Sequence, residues 1–400
     1  MATNTETNGA GVSAAAGAGV SAAASAGVSM AADADVSAAT VPPSPLLSVV
    51  LTIYNMESCL KPCLDTIAAQ TFTDYELICV DDGSTDTSVD ILLSYEDAFP
   101  YMEIIQQKNK GAAAARNLGM THARGQFLML LDSDDVFEPE LFETLVARAQ
   151  KTGADVVVCR SCELDHKTGD TRPSTWTVKT ELLPESESFS PYETKGTLLT
   201  ALMGWPWDKL YRTSYLQEYD LRFPEISNSE DLYFVYLALL SARLISVEEK
   251  VLVKHRINRS SSVSNSRLRA PLCFYESAVM LKHAMQKDKK LYHEFEWGFL
   301  NWAFDYACWN ILSLPDGDEK KEVARQFVDG ELTELELDRH PLEYYLLYPD
   351  AIARFEAIKD YCKPKKEMPR KRSFWGLAAR GCASIDREGF VPTLKKMFRR

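Results

Sequence analysis

Between Leu46 and Cys159 the chain alternates short β-rich runs with helical stretches, and two of the runs end in clusters of acids. The runs are LLSVVLTIY (Leu46 to Tyr54), ELICV (Glu76 to Val80), MEIIQ (Met102 to Gln106), QFLMLL (Gln126 to Leu131) and ADVVVC (Ala154 to Cys159). Each is short, apolar and bounded by polar residues, which reads as a buried strand. Helices are expected at Ser58 to Gln70, Ser88 to Ala98 and Gly111 to His122, and after Glu138-Pro139, with the proline at a first-turn position. The alternation predicts an α/β fold, a mostly parallel sheet covered by helices on both faces. In such sheets the ligand binds beyond the carboxyl ends of the strands. The acids stand there: Asp81-Asp82-Gly83-Ser84 after the second run and Asp132-Ser133-Asp134-Asp135 after the fourth.

The rest of the chain divides by composition. Residues 1–44 are built mainly from small side chains, with an eight-residue unit recurring as AGVSAAAG, AGVSAAAS and AGVSMAAD. Such a segment has too little to bury to offset its ordering entropy, and is expected to be a disordered tail. Residues 45–265 form the expected α/β unit, which holds both acid clusters. Within it, Thr168 to Ser190 reads as a polar excursion, Ser229 to Leu240 as a helix and Leu244 to Val253 as containing a strand. Residues 266–362 read as helical and rich in aromatics. Residues 363–400 carry twelve Lys or Arg against three acids, a local charge of +9 that leaves −22 for the remainder.

Charge and cysteine usage exclude several classes. A net charge of −13 argues against a nucleic-acid binder, because the phosphate backbone would repel the chain as a whole. No apolar run approaches the ~18 residues that a spanning helix needs. The first 44 residues lack the Lys or Arg of a secretory leader. Nine scattered cysteines, an odd number, suit a reducing compartment. In the basic tail, Phe374, Ala378, Cys382 and Ile385 fall on one helical face, and Trp375, Phe390 and Phe398 add aromatic weight. That pattern suits an anionic membrane surface, with a plain solvated tail as the alternative. The expectation is a cytoplasmic protein, peripheral at the inner face of the cell membrane. Its oligomeric state is open.

Five clusters can carry chemistry, and each also has a plain structural use. Asp82 can accept hydrogen bonds from a nucleobase or ribose, while Asp-Gly also suits a simple turn. Asp132 and Asp134 offer hard oxygen ligands for Mg²⁺ or Mn²⁺, while acids also favour the start of the next helix. In Gly111-Ala112-Ala113-Ala114-Ala115-Arg116-Asn117, small residues permit close approach, and Arg116 can pair with a phosphate or a strand-end acid. Glu230-Asp231 can supply a general base or merely cap a helix. His255-Arg256, with Arg259 and the serines that follow, can close over a diphosphate or form a solvent loop. Cys159 and Cys162 have no second pair at metal-ligand spacing. There is no Walker A loop, no G-x-G-x-x-G and no G-x-S-x-G.

In order and spacing these pieces resemble glycosyltransferase family 2, the inverting enzymes of GT-A fold. The resemblance runs from Leu47 to about Ser264 through SVVLTIYN, QTFTDYELICVDDGSTD, NKGAAAARNLG, LDSDD, WDKLYRTSYL, RFPE and SEDLYF. It implies a nucleotide-diphospho-sugar transferase with a helical C-terminal region. Thr52, Tyr54 and Asp82 would line the nucleoside pocket, and Asn109 and Arg116 would help hold the nucleotide. Asp132 would reach ribose or sugar, and Asp134 would coordinate Mn²⁺ or Mg²⁺ on the diphosphate. Asp231 would be the catalytic base with Glu230 beside it. His255 and Arg256 stand where many members carry Tyr-Arg ahead of a serine-containing loop, and Thr52 stands where relatives often have Pro. The implied donor is a nucleotide sugar, UDP-linked by analogy. The implied acceptor is a cell-surface polysaccharide, a teichoic acid or a lipid-linked glycan. Two competing expectations are a nucleotidyltransferase, which shares the strand-end acid logic but leaves Glu230-Asp231 without a role, and a non-catalytic transferase-like scaffold.

Overall fold

Side chains along a strand point alternately to opposite faces, and here that alternation sorts the core into two layers. A computed structural model describes residues 44–99, 101–259, 270–330, 332–345 and 347–363 of the chain. The repeat tail, the serines after Arg259 and the basic tail from residue 364 lie outside the described residues. In β1 (Leu47–Ile53), Val49 and Leu51 belong to one apolar layer and Val50 to the other. The same split holds in β2 (Tyr75–Asp81), with Leu77 and Cys79 against Ile78 and Val80. It recurs in the strand Phe127–Asp132, with Met129 and Leu131 against Leu128 and Leu130.

Each layer is covered by helices. In chain order these are α1 (Leu60–Ala68), α2 (Ser88–Leu93), α3 (Ala112–His122), α4 (Leu141–Thr152), α5 (Leu198–Ala201), α6 (Thr213–Glu218) and α7 (Glu230–Ser241). Leu60, Leu64 and Ile67 of α1 and Leu141, Phe142 and Leu145 of α4 cover the first layer. Ala113 and Ala115 of α3 and Phe234, Tyr236 and Leu239 of α7 belong to the second.

The sheet is parallel where the acids are and mixed beyond. β3 (Met102–Gln106), β2, β1 and β4 (Phe127–Asp132) pair in parallel in that spatial order. The remaining strands are β5 (Val136–Phe137), β6 (Val156–Asp165), β7 (Thr171–Pro173), β8 (Lys209–Arg212) and β9 (Ile245–Ile257). The late strand β8 inserts antiparallel between β4 and β6. β6 runs parallel to β9 and antiparallel to β7, and β5 closes the edge antiparallel to β9. A strand contributed from beyond β6 in the sequence cannot be read from local pattern, which is why the sheet is less uniformly parallel than the alternation predicts. The register aligns Ile53 with Asp81 and Thr52 with Asp132, so both acid clusters emerge at one end.

Two local expectations shift. Pro139 lies ahead of α4 rather than in its first turn, because Val136–Phe137 first pairs with β9 and the Glu138 N–H donates to the Leu252 carbonyl. β9 runs on to Ile257, carrying His255 and Arg256 on a strand rather than a loop.

The aromatic-rich region forms α8 (Cys273–Gln286), α9 (Lys289–Ser313), α10 (Asp318–Val328) and α11 (Pro349–Cys362). Asp288 caps α9, accepting from the Lys290 and Leu291 N–H groups. Phe295, Phe299 and Trp302 of α9 share one core with α7, and the Trp302 ring meets Tyr236 edge-on at 4.9 Å. The helix comes so close that a Cβ on Gly298 would stand 1.7 Å from the Gly196 carbonyl oxygen. Backbone cannot yield as a side chain can. Gly298→Ala is therefore expected to destabilise the fold by about 2 kcal/mol, read as a lower urea midpoint at unchanged slope. An unchanged midpoint would mean that α9 is free to move off the Gly196 backbone.

Candidate active site

The site begins where β1 and β2 end. Gly83 turns the chain at φ 76°, and a Cβ there would meet the Asn109 nitrogen at 2.9 Å, so only glycine fits. Asp81 fastens the turn by accepting from the Gly83 and Ser84 N–H groups. Asn55, at φ 53°, donates its N–H to Ser84 Oγ and accepts at Oδ1 from the Thr85 N–H. These bonds lace the two strand-end loops into one wall. Thr52 is half-buried on that wall, Tyr54 is 45% exposed at its rim, and Asn109 is exposed beside Gly83.

Asp82 lies buried and accepts three hydrogen bonds of 2.8 Å, from Gln107 Nε2, the Lys110 N–H and the Gly111 N–H. In this arrangement its carboxylate pins the loop that leads into α3. The sequence motif singles out Asp82, but its bonds to the loop are visible only in the structure.

The four residues after β4 divide the labour. Ser133 Oγ donates to the Thr52 carbonyl at 2.7 Å, fixing the tip to β1. Asp135 is fully buried and accepts from the Arg256 N–H at 2.9 Å and from His255 Nδ1 at 3.0 Å. His255 stacks on Trp207 at 4.7 Å. Burial alone would lower the imidazole pKa, but the Asp135 charge and hydrogen bond raise it to about 9. It is thus a charged partner of the acid tip near neutral pH. Arg256 Nε donates to the Asp134 carbonyl at 2.7 Å, and Arg259 pairs with Asp134 Oδ2 at 2.9 Å. The Asp134 pKa rises to about 6, first through burial and then through Asp135, against the opposing pull of Arg259.

Arg116 joins this tip to the far side of the site. Its Nη2 meets Asp132 Oδ1 and its Nη1 meets Glu230 Oε1, both at 2.8 Å. The side chain is buried, and its guanidinium lies 5.2 Å from the centre of the Phe223 ring. Burial opposes its charge, yet the two carboxylates hold its pKa well above the ordinary arginine value. The next residue, Asn117, exchanges two hydrogen bonds with the Phe223 backbone, at 2.8 and 2.9 Å. One helical turn of α3 therefore ties together three segments that are distant in sequence.

Glu230 and Asp231 open α7 after Ser229, which sits at φ 65°. Asp231 Oδ1 accepts from the Leu232 N–H at 2.9 Å. Burial and the neighbouring Glu230 push the Asp231 pKa up to about 7, while Arg116 restrains the rise. A carboxyl that titrates near neutrality is suited to accept a proton from a hydroxyl.

Asp132 and Asp134 supply hard oxygen donors side by side at the tip, each beside an arginine, Arg116 and Arg259. Among the described residues no three His, Cys, Asp or Glu side chains converge as a metal cage. The fit is to an ion that takes one or two carboxylates and completes its shell from water and substrate phosphates.

The structure thus gathers Thr52, Asp82, Arg116, Asp132, Asp134, Glu230, Asp231, His255 and Arg256 around one end of the sheet. Arg259 reads in the sequence only as part of a basic loop and Asp135 only as one acid of a cluster; the long-range pairs Arg259–Asp134 and His255–Asp135 are what single them out.

The sequence model of the family described as Glycosyl transferase family 2 matches residues 48–220. The Bacillus subtilis (strain 168) protein EpsH, named as a glycosyltransferase, is 31% identical over 254 residues, covering 62% of this chain and 71% of EpsH. The chain belongs to glycosyltransferase family 2. It is a glycosyltransferase by that membership, and the acids described above lie at the expected end of its sheet. Another relative is the Staphylococcus aureus (strain Mu50) poly(ribitol-phosphate) beta-N-acetylglucosaminyltransferase TarS, 27% identical over 67% of this chain and 46% of TarS. The crystal structure of S. aureus TarS 1–349 in complex with UDP matches with a TM-score of 0.58 at 24% identity, covering 79% of this chain and 89% of that one. That likeness shows the GT-A fold with its helical C-terminal region. No helix among the described residues of the transferase is long and apolar enough to cross a membrane.

Proposed function

We propose that the enzyme moves a sugar, with inversion, from UDP to a hydroxyl of a cell-surface polysaccharide or teichoic-acid-type acceptor. The observation that carries this reading is the Arg116 bridge, which fixes the strand-end acid Asp132 and the α7 acid Glu230 to one guanidinium. Donor-side and acceptor-side groups are thereby held in a single geometry. TarS, whose structures include complexes with UDP and with UDP-GlcNAc, supports the choice of donor. TarS and the Bacillus spizizenii poly(ribitol-phosphate) beta-glucosyltransferase, by their names, support the acceptor class. The acid pair on α7 has no use in nucleotidyl transfer, which favours sugar transfer.

In this reading the wall formed by Thr52, Tyr54 and the Asp82-held loop receives the nucleoside, with Asn109 at the rim. Asp134 would hold Mn²⁺ or Mg²⁺, which when bound neutralises charge on the diphosphate. Asp132, oriented by Arg116, borders the ribose and sugar. Arg256, fixed by Asp134 and Asp135, and His255, charged beside Asp135, lend positive potential to the diphosphate side. Asp231 takes the proton of the acceptor hydroxyl. That oxygen attacks the anomeric carbon opposite the departing phosphate, so one bond forms as the other breaks, with inversion.

A ligand that binds only the native state raises the melting temperature by mass action. UDP with Mn²⁺ is expected to shift the melting curve upward, and Asp134→Ala to abolish the metal-dependent part. A shift with nucleoside triphosphates but none with UDP would overturn the donor assignment.

A further inference from the structure

The mechanism leaves one buried ion pair unused. Asp208 and Lys209 have fully buried side chains, and Lys209 Nζ donates to Asp208 Oδ1 at 2.6 Å. The same ammonium donates to the Met203 and Trp205 carbonyls, both at 2.8 Å. Burying two charges costs more than their mutual attraction commonly returns, so what the pair holds in place matters. It holds the backbone that carries Trp205. The Trp205 ring stacks on Trp207 at 4.9 Å and lies 5.3 Å from His255, the imidazole bonded to the acid tip.

A third indole extends this row. Trp176 meets Trp205 edge-on at 5.0 Å and is 41% exposed. Its neighbours Ser174 and Thr177 are buried. The Thr177 N–H and hydroxyl both donate to the Ser174 carbonyl, and the Met203 N–H donates to the Thr177 carbonyl at 2.9 Å. The turn is pinned from both sides, yet it presents its largest apolar side chain to water. Leaving an indole exposed on a fixed turn forgoes burial free energy that a small rotation could recover.

We propose that Trp176 and Trp205 form a stacking subsite for a pyranose ring of the carbohydrate acceptor, preorganised by the Asp208–Lys209 pair. This deepens the transferase reading and rests on it. An indole face carries partial negative charge and is flat and rigid, which matches the electropositive C–H face of a pyranose. The row begins at His255, which bonds Asp135 next to Asp134, and runs outward through Trp205 to Trp176, so a sugar chain lying along it leads toward the acid tip. Holding the platform before the sugar arrives removes an ordering cost from binding.

The test uses the full chain saturated with UDP and Mn²⁺, titrated with cellotetraose and with chitotetraose while indole fluorescence is followed. At least one tetrasaccharide is expected to perturb the emission. Trp176→Ala and Trp205→Ala are each expected to weaken its affinity about tenfold, and Trp205→Phe to retain most of it. UDP affinity, measured separately by calorimetry, should match the parent in all three variants. No binding of either tetrasaccharide at millimolar concentration, or equal affinity in the alanine variants, overturns the proposal. So does a loss of self-association or of liposome binding in Trp176→Ala with unchanged sugar affinity, which would assign the indole to a protein or membrane contact. Failure of the parent to bind UDP would instead strike the donor assignment, and a tryptophan-dependent sugar response would survive it.

Discussion

Asp231→Asn will lower kcat by roughly 10²- to 10⁴-fold, the range that a positioned general base contributes, while UDP affinity stays near that of the parent. The amide keeps the shape and can still accept the Leu232 N–H at one oxygen. It cannot take a proton. The parent's kcat/KM should rise with pH through about 7, where Asp231 ionises, and level off above it. Glu230→Gln removes a neighbouring charge that raises this pKa, so the acid limb should move to lower pH. The same group makes a stability prediction of opposite sense. Its folded pKa lies above the ordinary 3.8, so between that value and about 7 the native state binds more protons than the unfolded one. Stability contributed by this group is full at low pH and falls as pH rises through that window. Asp231→Asn should therefore melt higher than the parent at pH 8 and show less difference at pH 4. An inactive variant that melts lower at pH 8 would point to a structural role for the carboxylate.

Arg116→Gln is expected to cost about 3 kcal/mol of stability, the low end for breaking a buried pair because Asp132 keeps some contact with water. Two carboxylates lose their shared partner in one substitution. Because Arg116 also restrains the Asp231 pKa, the acid limb of the pH profile should move upward. That is opposite to the Glu230→Gln shift. A merely structural arginine would lower the yield of folded enzyme and leave the limb in place. Chemical denaturation and the pH profile of the surviving activity together decide between the two.

The parallel half of the sheet was legible because it obeys local rules. Leu46 to Tyr54 and Glu76 to Val80 are β-rich runs that end in turn residues, and each became a strand within one or two residues of its expected ends. The acid clusters were legible because a strand's end is fixed once the strand is found. The links between clusters were not. Arg116 meets Glu230 across 114 positions, and Asp134 meets Arg259 across the whole second half of the catalytic region. No periodicity encodes such pairs; the antiparallel pairing of β5 with β9 brings the Arg259 segment to Asp134, and the docking of α3 on the Phe223 backbone brings Arg116 to the start of α7. Asp82 shows the intermediate case. Its motif marks the position, while its partners Gln107, Lys110 and Gly111 depend on how two loops dock.

The shared core of α7, α8 and α9 bears on how such enzymes can be recombined. Ser277 of α8 donates its hydroxyl to the Ser229 carbonyl, immediately ahead of the acid pair, and Trp302 of α9 packs on Tyr236 two turns later in α7. The helix bearing Asp231, the proposed proton acceptor, is thus clamped by residues that come after the parallel half of the sheet is complete. A chimera that borrows α7 from one relative and the C-terminal helices from another would pair Asp231 with foreign supports. Exchange of acceptor preference should succeed only when α7, α8 and α9 travel together as one cassette, with the parallel strands β1 to β4 left behind as a reusable chassis.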